Sequence, residues 1–597
     1  MKFLLLLLCP FSVGGQITVS SSTDPASLTA ATLPEALALA RTLSGDKLIS
    51  LPESTIYLTA TTYVDSLDNN LTIKGGTISG GIPLGAWAPC SLASNLLCTA
   101  ALPSMSSRGL VVNGERAVRG VGSDSMTAFF KDPVAVDLDK YVINSTTTGL
   151  TASAELVYTA NGSPWTESRC GVKSVAVLDD VGHTEVYMQN PCFTALQEKP
   201  CNQGTSVPAY VGETSAFTRP DAVPDQGWYS AALLSSRLPS LFAPCLLSSH
   251  LVCFPFTLFA FLTPCSLENV GVETLSEGQW YHDVVSSLVY YYPRVGEVVS
   301  DAVVPNIEVL ISGSGVVDVT FTGVTFAHAS YGRVDSDYGY VEQQSGALVD
   351  HGDDPVTCND SEWVPATANV VFTKSDDIVF EECEFKFLGG VAVAFIGGSH
   401  ECRVEQCYFH DVSGAGVQIG SYDTWNITQA RGQEVGNVVS ECWFRGVAAE
   451  FHGNAAVQIG YSRNTTVSNN HLSELYYSGV SIGWGWSREI DTYAAGNKVT
   501  NNRIDGFKLQ GGYPGASLGD GGGIYALGPQ QGSIMAGNWL NNMGGGKGGG
   551  AFYPDEGSAY WTITDNVFSN ATMCEVRTAT HTHLTPRASL TPRYHSG

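Results

Sequence analysis

CRVEQCYF at residues 402–409 is one of seven near-copies of a short phrase, and the set decides the fold. The others are IVFEECEF (378–385), NVVSECWF (437–444), TTVSNNHL (465–472), NKVTNNRI (497–504), GSIMAGNWL (532–540) and WTITDNVF (561–568). They place Cys383, Cys407, Cys442, Asn470, Asn502, Asn538 and Asn566 in one register, at intervals of 24, 35, 28, 32, 36 and 28 residues. Repeats of this length that carry strands and no amphipathic helix bury their apolar faces on one another, as a solenoid. The expected fold class is all-β, a right-handed parallel β-helix.

A second strand follows most of these phrases: GAGVQIG (414–420), NAAVQIG (454–460), YSGVSIGWG (477–485), GGGIYALG (521–528) and GGAFYPDEG (549–557). Side chains alternate across a strand, so Val417/Ile419, Val457/Ile459, Val480/Ile482 and Ile524/Ala526 are expected to point inward. Gln418, Gln458, Ser481, Tyr525 and Tyr553 then form an outward row. Small neighbours such as Gly416, Ala456, Gly479, Gly523 and Ala551 leave that row a low floor, suited to an elongated, hydroxyl-rich ligand. An idle, solvated sheet face would more commonly carry Thr, Lys or Glu there.

The chain is 597 residues long, with 64 Gly and 15% charged residues, consistent with a large solenoid of many tight turns. MKFLLLLLCPFSVGG (1–15) reads as a cleaved signal peptide, so a secreted or secretory-lumen location is expected. Sequons at Asn70, Asn144, Asn359, Asn426, Asn464 and Asn570 are compatible with glycosylation. A net charge of −27 disfavours nucleic acid and polyanions, which need compensating Lys and Arg, and favours neutral or weakly charged saccharides. No CxxC or HExxH spacing offers a metal site, and no cofactor is expected. Of the 15 cysteines, Cys383, Cys407 and Cys442 read as a buried ladder of thiols, and Cys192 with Cys201 as a loop disulfide. A monomer is expected.

Before the repeats the organisation changes. LPEALALARTL (33–43) is a short amphipathic helix expected to cap the open end of the solenoid, and STIYLTATTYV (54–64) with NNLTIKGGTISG (69–80) reads as the first strands within an N-terminal segment 16–85. Residues 86–107 fit poorly. Residues 108–300 read as an inserted β-rich domain, after which VDVTFTGVTFAHASYG (317–332) resumes the repeat, giving a β-helix over 301–570. Residues 238–267 carry no acidic or basic side chain other than His250, a length that could span a bilayer, but Pro239, Pro244, Pro255 and Pro264 break any helix. That stretch reads as a gene-model artefact and not as a membrane span. Residues 571–597 form an irregular tail.

The chemistry concentrates in the last coils. Asp520 precedes Gly521–Gly523, and one coil later come Asp555 and Glu556. The alignment sets Asp555 over Leu527 on the outward side beside Tyr553, whereas Glu556 should turn inward to a buried hydrogen bond. Two carboxylates beside a polar and aromatic groove are what glycosidic cleavage needs: one acid protonates the leaving oxygen, and the other carboxylate attacks the anomeric carbon or activates water. Turn-forming Asp is the plainer alternative. A seven-residue offset separates the two Asp positions, so pairing them requires Gly521–Gly523 to turn the chain back. Trp484 and Trp486 are candidates for stacking on sugar faces, and Tyr476, Tyr525 and Tyr553 for orienting hydroxyls. His452 and His471 read as structural, and Lys547 as part of a pliable Gly-rich loop.

YYSGVSIGWGW (476–486), DGGGIYALGPQQG (520–532) and AFYPDEGS (551–558), with the GQWYHD (278–283) and LVYYYPRVGE (288–297) block, resemble the right-handed β-helix glycosidases of glycoside hydrolase family 141. The resemblance implies a glycoside hydrolase acting on fucosides or xylosides of a plant- or algal-type polysaccharide or oligosaccharide. It also implies Asp520 and Asp555 as the catalytic pair, with Glu556 as the substitute if the register slips by one. Two other classes use the same scaffold: polysaccharide lyases or uronan epimerases, which call for a basic residue and often Ca²⁺, and noncatalytic glycan-binding surface proteins.

Overall fold

The computed structural model describes residues 15–19, 28–85, 87–89, 97–100, 108–122, 135–136, 139–144, 150–159, 165–178, 182–198, 266–269, 271–283, 286–350, 363–422, 426–487, 491–507, 518–543 and 550–570. The signal-peptide reading (of which only Gly15 is described), the partner Cys201, Lys547, nearly all of 238–267 and the tail 571–597 lie outside them.

Three long parallel sheets wrap one apolar core, with twelve, nine and ten strands among the described residues. A full coil contributes one strand to each sheet. One coil, for example, runs Thr466–Ser468, turns into His471–Leu475, and continues to Val480–Ile482. The first turn is made by a single residue in the left-handed region, at Glu382, Gln406, Glu441, Asn469, Asn501, Gly537 and Asp565. The repeated Cys or Asn follows it and points inward. There the asparagine side chains form a ladder: Asn470, Asn502, Asn538 and Asn566 each accept through Oδ1 from the backbone N–H of Cys442, Asn470, Asn502 and Asn538, at 2.9–3.0 Å. Their amides donate onward to carbonyls such as Val439 O and Val467 O. In earlier coils Cys383, Cys407 and Cys442, all buried free thiols, do the corresponding work by donating to Phe321, Phe380 and Val404 carbonyls. The thiol ladder read from the sequence is therefore present.

Inside, phenylalanines stack coil on coil: Phe326–Phe385, Phe385–Phe409 and Phe409–Phe444 have centroids 4.6–5.0 Å apart and near-parallel rings. The helix is Leu33–Ala40. Thr32 caps it by accepting from Glu35 N, and Glu35 in turn accepts from Ala31 N. Its buried residues Leu33, Ala36, Leu37 and Ala40 join the solenoid core beside the first strands.

The inserted region builds an antiparallel six-stranded sheet, in the order Ala135–Val136, Lys140–Ile143, His183–Met188, Glu167–Leu178, Glu155–Thr159, Ser266–Glu268, over its own core around Tyr141, Tyr158 and Phe193. Two expectations are corrected here. Cys192 is bonded to Cys170, not Cys201: the buried helix Cys192–Glu198 packs on strand Glu167–Leu178 and brings the two Cα atoms to 5.8 Å, within disulfide reach. The segment 86–107 is not a misfit throughout, because Ala88–Pro89 and Leu97–Ala100 are strands of a second small sheet, the latter paired with Leu288–Tyr291.

The insert meets the solenoid through buried charges. Arg108 reaches Glu155, Asp335 and Glu450, and Arg169 reaches Glu155, Glu167, Glu268 and the Glu450 carbonyl. Across the same joint Glu167 bonds His452 at 3.0 Å.

Candidate active site

The predicted register of the nine-stranded sheet holds. Val417, Val457, Val480 and Ile524 stack, as do Gln418, Gln458, Ser481, Tyr525 and Tyr553. Asp555 N donates to Ala526 O, one step past the last paired strand residues, which sets Asp555 beside Leu527.

The outward row is not an open groove. Residues 340–350 fold across it, with Leu348–Asp350 pairing antiparallel to Trp363–Pro365. Gln458 donates to Ser345 O, Ser345 Oγ meets Ser481 Oγ at 3.4 Å, and Gln344 Nε2 donates to Tyr525 OH at 2.6 Å. Ala347, Leu348 and Trp363 pack with Tyr422, Tyr461, Trp484, Tyr525 and Leu527. Gln418, Gln458, Ser481 and Tyr525 are consequently at most 6% exposed. The glycines among the small floor residues read from the sequence accommodate neighbouring coils: a Cβ on Gly416 would strike Phe444, and one on Gly479 would strike Gly523 O.

The row emerges only at its last member. Tyr553, Asp520 and Asp555 are half-buried. The two carboxylates are tied crosswise by two tyrosines on adjacent coils: Tyr525 OH donates to Asp555 Oδ2 and Tyr553 OH to Asp520 Oδ1, both at 2.6 Å, with the rings 5.5 Å apart. A third phenol, Tyr477, donates to the Asp520 carbonyl at 2.8 Å. Burial, reinforced by the neighbouring carboxylates, pushes the Tyr477 and Tyr525 phenols well above their usual range, so both remain proton donors.

The glycines act differently from the expectation. Gly521–Gly523 are not left-handed; Asp520 itself is, at φ 62°. The glycines serve close approach, since a Cβ on Gly521 would lie 2.5 Å from the Tyr477 ring and one on Gly523 2.9 Å from Ala551 O. The seven-residue offset is spanned by the reach of Tyr525 and Tyr553 and by a bend at Gly519 and Asp520, just before the glycines.

Glu556 is exposed, not turned to the core. Alternation fails because the strand has ended at Pro554: Ser558 N bonds Asp555 O and Gly557 takes φ 73°, closing a turn. The two tryptophans touch edge to face, with centroids 5.1 Å apart, but differ in exposure. Trp484 is buried edge-on to Tyr422, whereas Trp486 is 43% exposed. Left-handed Gly485 breaks the extended backbone between them. A Cβ on Gly557 would fall 2.9 Å from the Trp486 carbonyl carbon, so the turn after Asp555 rests on the Trp486 backbone. Tyr476 is drawn elsewhere, stacked on the His452 ring at 4.4 Å.

Sequence reasoning missed Tyr477 and Gln344. Tyr477 was adjacent to a chosen residue, and only the path of the loop decides which of the two rings turns to Asp520. Gln344 lies 181 residues from Tyr525, with no repeat to announce the contact.

A family model for a right-handed β-helix region matches residues 308–485 and 368–585. No curated protein matches the chain. Among solved structures, one described as "Glycoside hydrolase" is 22% identical over 94% of this chain and 96% of its own, with a TM-score of 0.67. The complex of XylC with xylose aligns at 10% identity over 93% of this chain and 70% of its own, with a TM-score of 0.44. PfbA, a surface adhesin of Streptococcus pneumoniae, aligns at 12% over 45% and 64%, with a TM-score of 0.29. The family model and the first of these structures establish the fold of this chain as a right-handed parallel β-helix.

Proposed function

We propose that the protein is a glycoside hydrolase whose catalytic pair is Asp520 and Asp555. The observation that carries this reading is the crosswise tether: two carboxylates from neighbouring coils, each fixed by a phenol at 2.6 Å, at the one part of the outward row that is not covered. In hydrolysis one carboxyl gives its proton to the leaving oxygen. The other carboxylate attacks the anomeric carbon or draws a proton from the water that does, and water supplies the hydroxyl left on the released sugar. Trp486, 43% exposed on a backbone that abuts the turn after Asp555, offers a flat apolar surface for a sugar. The likeness to a structure described as a glycoside hydrolase supports the same reading.

Fucosides and xylosides are the proposed substrates, in line with the sequence resemblance. A secreted location is proposed as well, supported by the Cys170–Cys192 disulfide, a bond that persists in oxidising compartments.

The test is hydrolysis of aryl fucosides and xylosides by purified protein. Asp520→Asn and Asp555→Asn should each lower the rate by about 10²-fold or more, the usual share of a positioned acid or base. Undiminished activity in either variant refutes that residue's role, and release of unsaturated uronate from a uronate-containing polysaccharide assayed in parallel would instead mark a lyase.

A further inference from the structure

An elongated glycan cut in its interior must rest on protein on both sides of the scissile bond. The outward row here permits that on one side only. On the side of the earlier coils, Ser345 sits on Gln458 and Ser481, and Gln344 sits on Tyr525, leaving those three row residues at most 6% exposed. Apolar packing of Ala347, Leu348 and Trp363 on Tyr525, Leu527 and Trp484 backs this cover, so it is a built wall and not a single loose contact. On the other side Tyr553 is half-buried, belongs to the last strand of its sheet among the described residues, and stands beside the two half-buried carboxylates.

Resting on the glycoside hydrolase reading, the geometry points to an exo-acting enzyme that removes one terminal sugar at a time. The substrate class is a small glycoside or the non-reducing end of an oligosaccharide. The terminal ring stops where the cover held by Gln344 and Tyr525 ends, beside the half-buried Tyr553, its anomeric carbon meets the Asp520 and Asp555 carboxyl groups, and the remainder of the chain leaves toward solvent. This reverses the long-groove expectation drawn from the stacked row alone. The row is long, but it is occupied by the protein's own residues.

The experiment compares early products. Xylo-oligosaccharides and fucosylated oligosaccharides labelled at the reducing end, polymeric xylan, and the corresponding aryl glycosides are each incubated with the intact protein. The expected result is release of monosaccharide, labelled chains shortened by one residue, and little fall in xylan viscosity as reducing sugar accumulates. A methyl cap on the terminal sugar should abolish cleavage. Early fragments of mixed length with a rapid fall in viscosity would overturn the exo assignment while leaving the hydrolase reading intact. Failure to hydrolyse the aryl glycosides and the oligosaccharides alike would overturn the hydrolase reading, and the exo assignment with it.

Discussion

Tyr525 has one proton to give and two neighbours at 2.6 Å competing for its oxygen. The Gln344 Nε2 can only donate, so the phenol proton goes to Asp555, and a chain of two hydrogen bonds fixes the carboxylate from a segment 181 residues away from Tyr525. Tyr525→Phe leaves the buried Gln344 amide without that acceptor and lets Asp555 swing. The expected outcome is a stability loss of about 1–3 kcal/mol in denaturant unfolding and a rate lower by about 10²-fold, the scale set by a small misplacement of a reacting group. An unchanged rate would show that Asp555 needs no such support. At this scale the sequence was only partly legible. The register of Tyr525, Tyr553 and Asp555 followed from side-chain alternation, whereas the exposure of Glu556 did not, because alternation ends where the Asp555–Ser558 turn begins.

Among the elements, the corner ladder is the most readable feature, since one residue type at one position in each coil is both its sequence signature and its structure. Asn502 shows what it contributes. Its amide bonds Val467 O and Asn538 Oδ1, and its own Oδ1 accepts from Asn470 N and Nδ2, all within 2.9–3.0 Å. Asn502→Ala deprives these buried groups of partners and is expected to cost about 3 kcal/mol, read as a lower denaturant midpoint with an unchanged slope. A shift near zero would mean that water enters the corner and replaces the amide. The segment over the outward row was illegible for the opposite reason. Its contacts through Gln344 and Ser345 are single, non-periodic and long in sequence, so nothing in the strand pattern marks them.

Across the whole molecule, the insert and the solenoid are held together by charge. The Glu167 carboxyl is buried, which alone would raise its pKa, yet His452 and Arg169 bring it down from 4.5 to about 2. Glu450 is likewise held below the ordinary carboxylate range by Arg108, Arg169, Arg119 and Arg116 against its burial, while burial raises Asp335. A depressed carboxyl stabilises the fold above its unfolded pKa and loses that contribution as pH falls through the folded one. Asp335 has the opposite sign and offsets part of the loss. Thermal stability is therefore expected to fall as pH drops from about 4.5 to about 2. Arg169→Met should destabilise by about 3–5 kcal/mol by stranding buried carboxylates, and should flatten that acid dependence. A variant as stable as the wild type, with the same acid response, would show that packing and not charge joins the two parts. The loss of the repeat was legible where the antiparallel sheet lies; the charges that attach that sheet were not, since isolated Arg and Glu residues carry no period.

The solenoid is interrupted early, and the interruption bears on how the chain is made. Strand Leu71–Lys74 pairs in parallel with Val317–Thr322, and Asn69 Oδ1 accepts from Val317 N across 248 residues of chain. Later coils close over a few tens of residues each, so they can assemble by local propagation once one of them forms. The seam below the first coils instead closes over 248 residues, and loop-closure entropy delays it. Emerging first from the ribosome, the opening strands and their helix wait with an unpaired edge until the resumed repeat arrives. The N-terminal coils are thus synthesised first and completed late, and a nascent chain stalled within the insert would display a sticky sheet edge to whatever chaperone attends it.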